Sequence, residues 1–123
     1  MPTVVVIDDD PMIRALLRSF IAQDRRVTLV AEATNGVEGI EVVTSTQPDA
    51  IILDMEMPEM DGVEALPQLR ASSPRTTVVM FSSGPRPATE PKARAAGAHG
   101  YFEKSTPLEE LFDHLVDLTN QTM

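Results

Sequence analysis

The sequence predicts a doubly wound α/β domain, with a five-stranded parallel sheet and five helices on its two faces. Short continuous apolar runs rich in β-branched residues recur along the chain, as strands buried on both faces of a parallel sheet require. Segments with apolar residues at helical spacing separate them, and this alternation repeats to the end of the chain. The 123 residues, 42% of them hydrophobic, suit one compact domain and leave no room for a second. A chain of that size buries roughly two-thirds of the surface it exposes when unfolded.

In chain order, Val4-Val5-Val6-Ile7 is the first strand. Asp10 can cap the first helix, with Pro11 at the first helical position, where a missing N–H costs nothing. Ile13, Leu16, Leu17, Phe20 and Ile21 form its apolar stripe. Residues 27–33 make the second strand, and Val37, Ile40 and Val43 mark a shorter second helix. Ala50-Ile51-Ile52-Leu53 is the third strand. Val63, Leu66 and Leu69 mark the third helix; the ring of Pro67 would crowd the carbonyl of Val63, which predicts an irregular first turn. Val78-Val79-Met80-Phe81 is the fourth strand. The fourth helix is expected around residues 92–96, because Pro85, Pro87 and Pro91 each remove a donor and oppose an earlier start. Tyr101-Phe102 is a brief fifth strand. Leu108, Leu111, Phe112, Leu115 and Val116 belong to the last helix, with Thr106, Pro107 and Glu109 as its capping box. Parallel strands joined by helices imply right-handed crossovers. No repeat, low-complexity tract or linker interrupts this pattern.

Charge and composition exclude several function classes. Nineteen acidic against ten Lys/Arg side chains give a net charge of -9. That charge repels nucleic-acid phosphates and anionic membranes, so neither is an expected partner. The lack of cysteine excludes disulfides, thiolate metal sites and cysteine nucleophiles. The apolar run at Val4 ends abruptly in Asp8-Asp9-Asp10, unlike a signal peptide. No apolar stretch approaches the roughly 20 residues of a membrane span. A cytoplasmic protein is expected.

The strand endings carry the functional argument. The first strand runs into Asp8-Asp9, the third into Asp54, the fourth into Ser82-Ser83, and the fifth ends near Lys104. In doubly wound sheets, ligands bind outside the carboxyl ends of the strands, at the point where the strand order reverses. For the order 2-1-3-4-5, that of flavodoxin-like folds, the crevice lies between strands 1 and 3. Asp8 and Asp9 would then face Asp54, with Ser82 and Lys104 along the same rim. Three carboxylates in one crevice repel each other unless a cation holds them. Oxygen donors alone favour Mg²⁺, with Mn²⁺ as a substitute, over zinc. A hydroxyl and a lysine beside them would complement a phosphoryl group carried on one carboxylate, since phosphoryl transfer needs mainly positioning and charge neutralisation. The chemistry points to an aspartyl phosphate.

Together, Ile7-Asp8-Asp9-Asp10, the stretch 53–62 (LDMEMPEMDG), Met80-Phe81-Ser82-Ser83, the stretch 95–101 (AAGAHGY) and Phe102-Glu103-Lys104 resemble a response-regulator receiver domain of two-component signalling. The similarity covers essentially the whole chain, residues 1–123. It implies that Asp54 accepts the phosphoryl group from a phosphohistidine on a sensor histidine kinase or phosphotransfer protein. Asp8 and Asp9 would hold Mg²⁺ together with Asp54, with the backbone carbonyl of Glu56 as a further ligand. Lys104 would pair with the phosphoryl oxygens and Ser82 would hydrogen-bond one of them. Tyr101 would be the switch aromatic, changing rotamer as Ser82 moves. An output domain or downstream protein would read the altered surface, and a homodimer on phosphorylation is a further expectation. The chain would be a signalling switch and not an enzyme beyond its own phosphorylation and slow dephosphorylation.

Each residue also has a plainer reading. Asp8-Asp9-Asp10 fits a solvated charge run, and for Asp10 the helix cap suffices. Ser83 is an alternative to Ser82 by register, Lys104 alone is an ordinary surface lysine, and Tyr101 could serve packing. Met55, Met57 and Met60 read as gap-filling core, Asp61 as a helix cap, Gly62 as a backbone necessity, and His99 and His114 as surface residues. Two departures from the family pattern stand out. Ser105 follows Lys104 where many receivers have proline, which counts against a cis peptide there, and Glu56 is acidic two residues beyond the acceptor. The rival functions are a small Mg²⁺-dependent phosphohydrolase with Asp54 as nucleophile, a flavin-binding protein, and a receiver acting only as an interaction module. The first lacks room for a substrate cap; the second conflicts with Asp8-Asp9-Asp10, which would repel a flavin phosphate.

Overall fold

The computed structural model describes residues 1–84 and 86–122. Five strands alternate with five helices: β1 (Thr3–Ile7), α1 (Pro11–Asp24), β2 (Thr28–Ala33), α2 (Gly36–Thr46), β3 (Ala50–Leu53), α3 (Gly62–Ser72), β4 (Thr77–Ser82), α4 (Arg86–Ala96), β5 (Gly100–Glu103) and α5 (Leu108–Thr122). All pair in parallel, in the order β2-β1-β3-β4-β5. The three central strands are buried throughout apart from Thr3, as their unbroken apolar runs require.

Alternate strand residues feed two cores. Val4, Val6, Ala50, Ile52, Val79 and Phe81 pack with Leu17 and Ile21 of α1 and with Leu111, Phe112 and Leu115 of α5. Val5, Ile7, Ile51, Leu53, Val78 and Met80 pack on the opposite face with Val43 of α2, Leu66 and Leu69 of α3, and Ala93 of α4. Each fully buried Val, Leu or Ile contributes about 1.5–3 kcal/mol relative to exposure, so these two layers fix the sheet and hence the level of its carboxyl ends.

Asp10 caps α1 as expected, its side chain accepting from the Met12 N–H at 2.9 Å. Four expectations need correction. The fourth helix starts at Arg86, well before residue 92. Pro87 falls in its first turn, where no donor is needed, and Pro91 is exposed, so water can take the carbonyl it leaves free. Pro85 lies outside the described residues. The first turn of α3 is regular despite Pro67, because Asp61 and Glu64 close a reciprocal capping box around it. At α5 the Leu111 N–H bonds the Pro107 carbonyl while Thr106 is turned back to Glu103, which moves the cap past Thr106. The buried side of α2 is Gly36, Gly39 and Val43, whereas Val37 is exposed, as is Leu16 of α1. No helix among the described residues is long and apolar enough to cross a membrane.

Candidate functional site

Register brings the acidic residues together. Ile7 pairs with Leu53, so Asp8 and Asp54 leave adjacent strands at one level. The Asp54 N–H donates to the Ile7 carbonyl at 2.9 Å, and the Asp8 N–H to the Ala33 carbonyl at 3.0 Å. Both residues are 2% exposed, unusual for carboxylates, while Asp9 is exposed beside them. Oxygens of Asp8, Asp9 and Asp54 all lie within 4.8 Å of one another. Lys104, the first residue after β5, reaches back across the sheet to Asp8 Oδ2 at 3.0 Å and Asp54 Oδ1 at 3.3 Å. Its backbone is fixed by a 2.7 Å bond to the Ser82 carbonyl. The Lys104–Ser105 peptide is trans.

One ammonium does not balance three carboxylates. Burial, then the charge of Asp8, push the Asp54 carboxyl up to about 7, against the pull of Lys104 and of the Glu56 N–H. Burial alone would lower Lys104, but its hydrogen bond to Asp8 and the charges of Asp54 and Asp8 hold the ammonium above its ordinary value. A divalent cation would relieve this repulsion. The donor set is all oxygen and includes an exposed carboxylate open to solvent, which suits Mg²⁺ or Mn²⁺. The Glu56 N–H donates to Asp54 Oδ1 at 3.3 Å, so the loop carrying its carbonyl is tied to the acceptor.

Gly62 makes this crowding achievable. Its N–H bonds the Met55 carbonyl at 2.9 Å, and a Cβ there would lie 2.3 Å from the Asp54 carbonyl oxygen. Only glycine lets the start of α3 close beneath Asp54. The methionines serve packing: Met55 is buried, and Met57 and Met60 pack partly buried against the same core.

Ser82 ends β4 fully buried, its hydroxyl accepting from the Gly84 N–H at 3.0 Å, whereas Ser83 is exposed. Tyr101 points inward and is 1% exposed. Its hydroxyl donates to the Gly84 carbonyl at 3.1 Å and is hydrogen-bonded to Thr89 of α4. Gly84 is therefore the junction between Ser82 and Tyr101. A Cβ on it would meet Thr89 Cγ2 at 3.1 Å, Ser82 Oγ at 3.4 Å and Glu56 Oε1 at 3.6 Å.

Three residues went unseen in the sequence. Thr89 was hidden because the prolines argued against helix at that point. Arg14 donates to the Asp8 carbonyl at 2.7 Å, a contact that needs the turn geometry of residues 8–10 to be known. His99, expected at the surface, is half-buried and held in place: its Nδ1 accepts from the Val78 N–H at 3.0 Å and its Nε2 lies 3.0 Å from the Arg70 guanidinium. Burial, then Arg70, hold its imidazole below the ordinary value. No sequence pattern marks a histidine that pairs with a strand backbone. His114 is exposed, its ring tilted against Phe102.

The fold and the strand-end acids with their lysine define a class, and comparison with known proteins identifies it. The family model "Response regulator receiver domain" matches residues 4–116. The chain is 39% identical over 113 residues to the nitrate/nitrite response regulator protein NarL of Escherichia coli K12, covering 92% of this chain and 52% of that protein. It is 39% identical over 103 residues to a protein-glutamate methylesterase/protein-glutamine glutaminase of Maricaulis maris, covering 82% of this chain and 26% of that one. Among solved structures, a LuxR-family two-component response regulator from Aurantimonas sp. SI85-9A1 superposes with a TM-score of 0.91 at 27% identity, over 98% of this chain and 86% of that one. A CheY-like receiver from Methanospirillum hungatei shares the fold, with a TM-score of 0.89 at 16% identity over 99% and 96%. The chain belongs to the receiver-domain family of two-component response regulators. It spans about half the length of NarL and the other first-ranking curated relatives.

Proposed function

We propose that the chain accepts a phosphoryl group on Asp54, in a Mg²⁺-dependent reaction, from a phosphohistidine of a sensor histidine kinase or phosphotransfer protein. It then changes conformation to signal to an output domain or a downstream protein. The observation that carries this reading is the pair of contacts from Lys104 to Asp54 and Asp8, in a crevice whose acids outnumber their cation. In the reaction an Asp54 carboxylate oxygen forms the new O–P bond, the P–N bond to the imidazole breaks, and the departing imidazole takes up a proton. Lys104 would turn from Asp54 Oδ1 toward the phosphoryl oxygens, and the Ser82 hydroxyl would donate a hydrogen bond to one of them. Asp8, Asp9 and Asp54 would hold the cation, with the Glu56 carbonyl as a further ligand. Bound Mg²⁺ would neutralise the charge that builds between carboxylates and phosphoryl oxygens.

Redirecting Ser82 would release the Gly84 N–H it now accepts from, and with it the Gly84 carbonyl on which Tyr101 rests. That sequence supports Tyr101 as the switch. Self-phosphorylation and slow hydrolysis are the only chemistry this reading requires of the chain. Intact mass after incubation with acetyl phosphate tests it: one added phosphoryl group with Mg²⁺ and none with a chelator is the expected result. Sustained turnover of a phosphate ester would favour a phosphohydrolase instead.

A further inference from the structure

We propose that Arg14 is a positioning residue for the cation site, holding the peptide between Asp8 and Asp9 so that both carboxylates face Asp54. The inference rests on the reading of these three acids as a cation site. Arg14 grips the acidic turn twice. Its backbone N–H donates to the Asp10 carbonyl at 3.1 Å, and its guanidinium donates to the Asp8 carbonyl at 2.7 Å. Asp8 is held at every other polar atom as well: its N–H by Ala33, Oδ1 by the Asp10 N–H at 2.9 Å, and Oδ2 by Lys104. Asp9 has no such packing, being exposed. Its direction is set by the plane of the Asp8–Asp9 peptide, which is rigid and turns only about the flanking dihedrals. Fixing the Asp8 carbonyl fixes that plane.

Arg14 is itself fixed from the sheet edge. Its side chain is 17% exposed, and its Nε lies 3.5 Å from Glu32 Oε1 on β2. Glu32 in turn accepts two bonds from Arg18, at 2.7 and 3.0 Å. The fork geometry matters, because one group must meet a carboxylate and a carbonyl at once, which lysine does less well. Glu32 also offsets the positive charge that Arg14 brings toward the cation, so the turn is ordered with little added repulsion.

Calorimetric titration with Mg²⁺ alone, without a phosphoryl donor, tests the proposal on the full chain. Groups that orient metal ligands are worth about 10–100-fold in affinity, and Arg14→Gln is expected at the low end, about tenfold weaker. Arg14→Lys should fall between wild type and Arg14→Gln. Arg26→Gln is the control: it removes ion pairs to Asp24 and Asp113 far from the site, and should lower stability without changing Mg²⁺ affinity. Should Arg14→Gln fail to fold, Glu32→Gln unlocks the guanidinium and should weaken Mg²⁺ with the same sign. Unchanged or tighter Mg²⁺ binding in a folded Arg14→Gln protein overturns the proposal. No Mg²⁺ binding by the wild type overturns the cation-site reading beneath it, a separate and recognisable outcome.

Discussion

The Lys104 ammonium stands 3.3 Å from Asp54 Oδ1, and it reaches that point only because β5 and β3 are both paired to β4. The same ammonium is shared with Asp8, so the buried acids are under-neutralised. Each pH unit by which a carboxyl is held above its ordinary value corresponds to about 1.4 kcal/mol. Asp54 is held up to about 7 by burial and Asp8. Removing its charge should therefore stabilise the metal-free protein. Urea unfolding in chelator at about pH 8 should show Asp54→Asn more stable than wild type by about 1–3 kcal/mol. Equal or lower stability would mean the acids do not strain the fold.

Glu56 is exposed, its N–H bonded to the acceptor and its carboxylate close to Gly84 beside Ser82. A fixed negative charge at the entrance repels an anionic donor. Glu56→Gln should accelerate phosphorylation by acetyl phosphate about two- to fivefold at low salt, with the advantage shrinking as ionic strength rises. It should also alter the dephosphorylation rate. Equal rates in both directions would remove Glu56 from the reaction.

His99 gives the fold a pH dependence with a defined sign. Its neighbours are the Val78 N–H of β4, Arg70 of α3, and Arg94 of α4, whose guanidinium bonds the His99 carbonyl at 3.4 Å. Burial, then the charge of Arg70, disfavour protonation of the ring and hold its value below the ordinary 6.5. The unfolded chain therefore takes up the proton first. Stability from this group is complete above 6.5 and is lost as pH falls from there through the folded value. Unfolding free energies at about pH 7.5 and about pH 5.5 should fall more for wild type than for His99→Gln. An identical drop in the two proteins would contradict this.

The Tyr101 hydroxyl is a buried donor to Gly84 and a partner of Thr89. Tyr101→Phe leaves the Gly84 carbonyl unsatisfied and should cost about 1–2 kcal/mol in chemical denaturation. A neutral substitution would show that ring packing alone seats this side chain.

Most of the fold was legible because its signals are periodic: unbroken β-branched runs for the central strands, and spaced apolar residues for α1 and α5. The sheet order then gave the convergence of Asp8, Asp9, Asp54, Ser82 and Lys104, since each lies at or just past the end of a strand. What failed was local. Proline was read as a barrier at Pro67 and Pro91, yet both are exposed and water can serve the carbonyls they free. Gly36 and Gly39 share the buried side of α2 with Val43, and a search for large apolar residues passes over them. Arg14 and His99 act through backbone groups and Thr89 through the Tyr101 hydroxyl, and a sequence does not show where a distant backbone group or hydroxyl points.

The most direct measurement of the central claim is borohydride reduction of the protein after acetyl phosphate and Mg²⁺, followed by peptide mapping. An acyl phosphate on an aspartate is reduced to homoserine, which marks the acceptor. We predict homoserine at position 54 and nowhere else, lost when Mg²⁺ is chelated and absent from Asp54→Asn. Homoserine at Asp8 or Asp9, or a phosphoryl group stable to reduction on another residue type, would contradict the account.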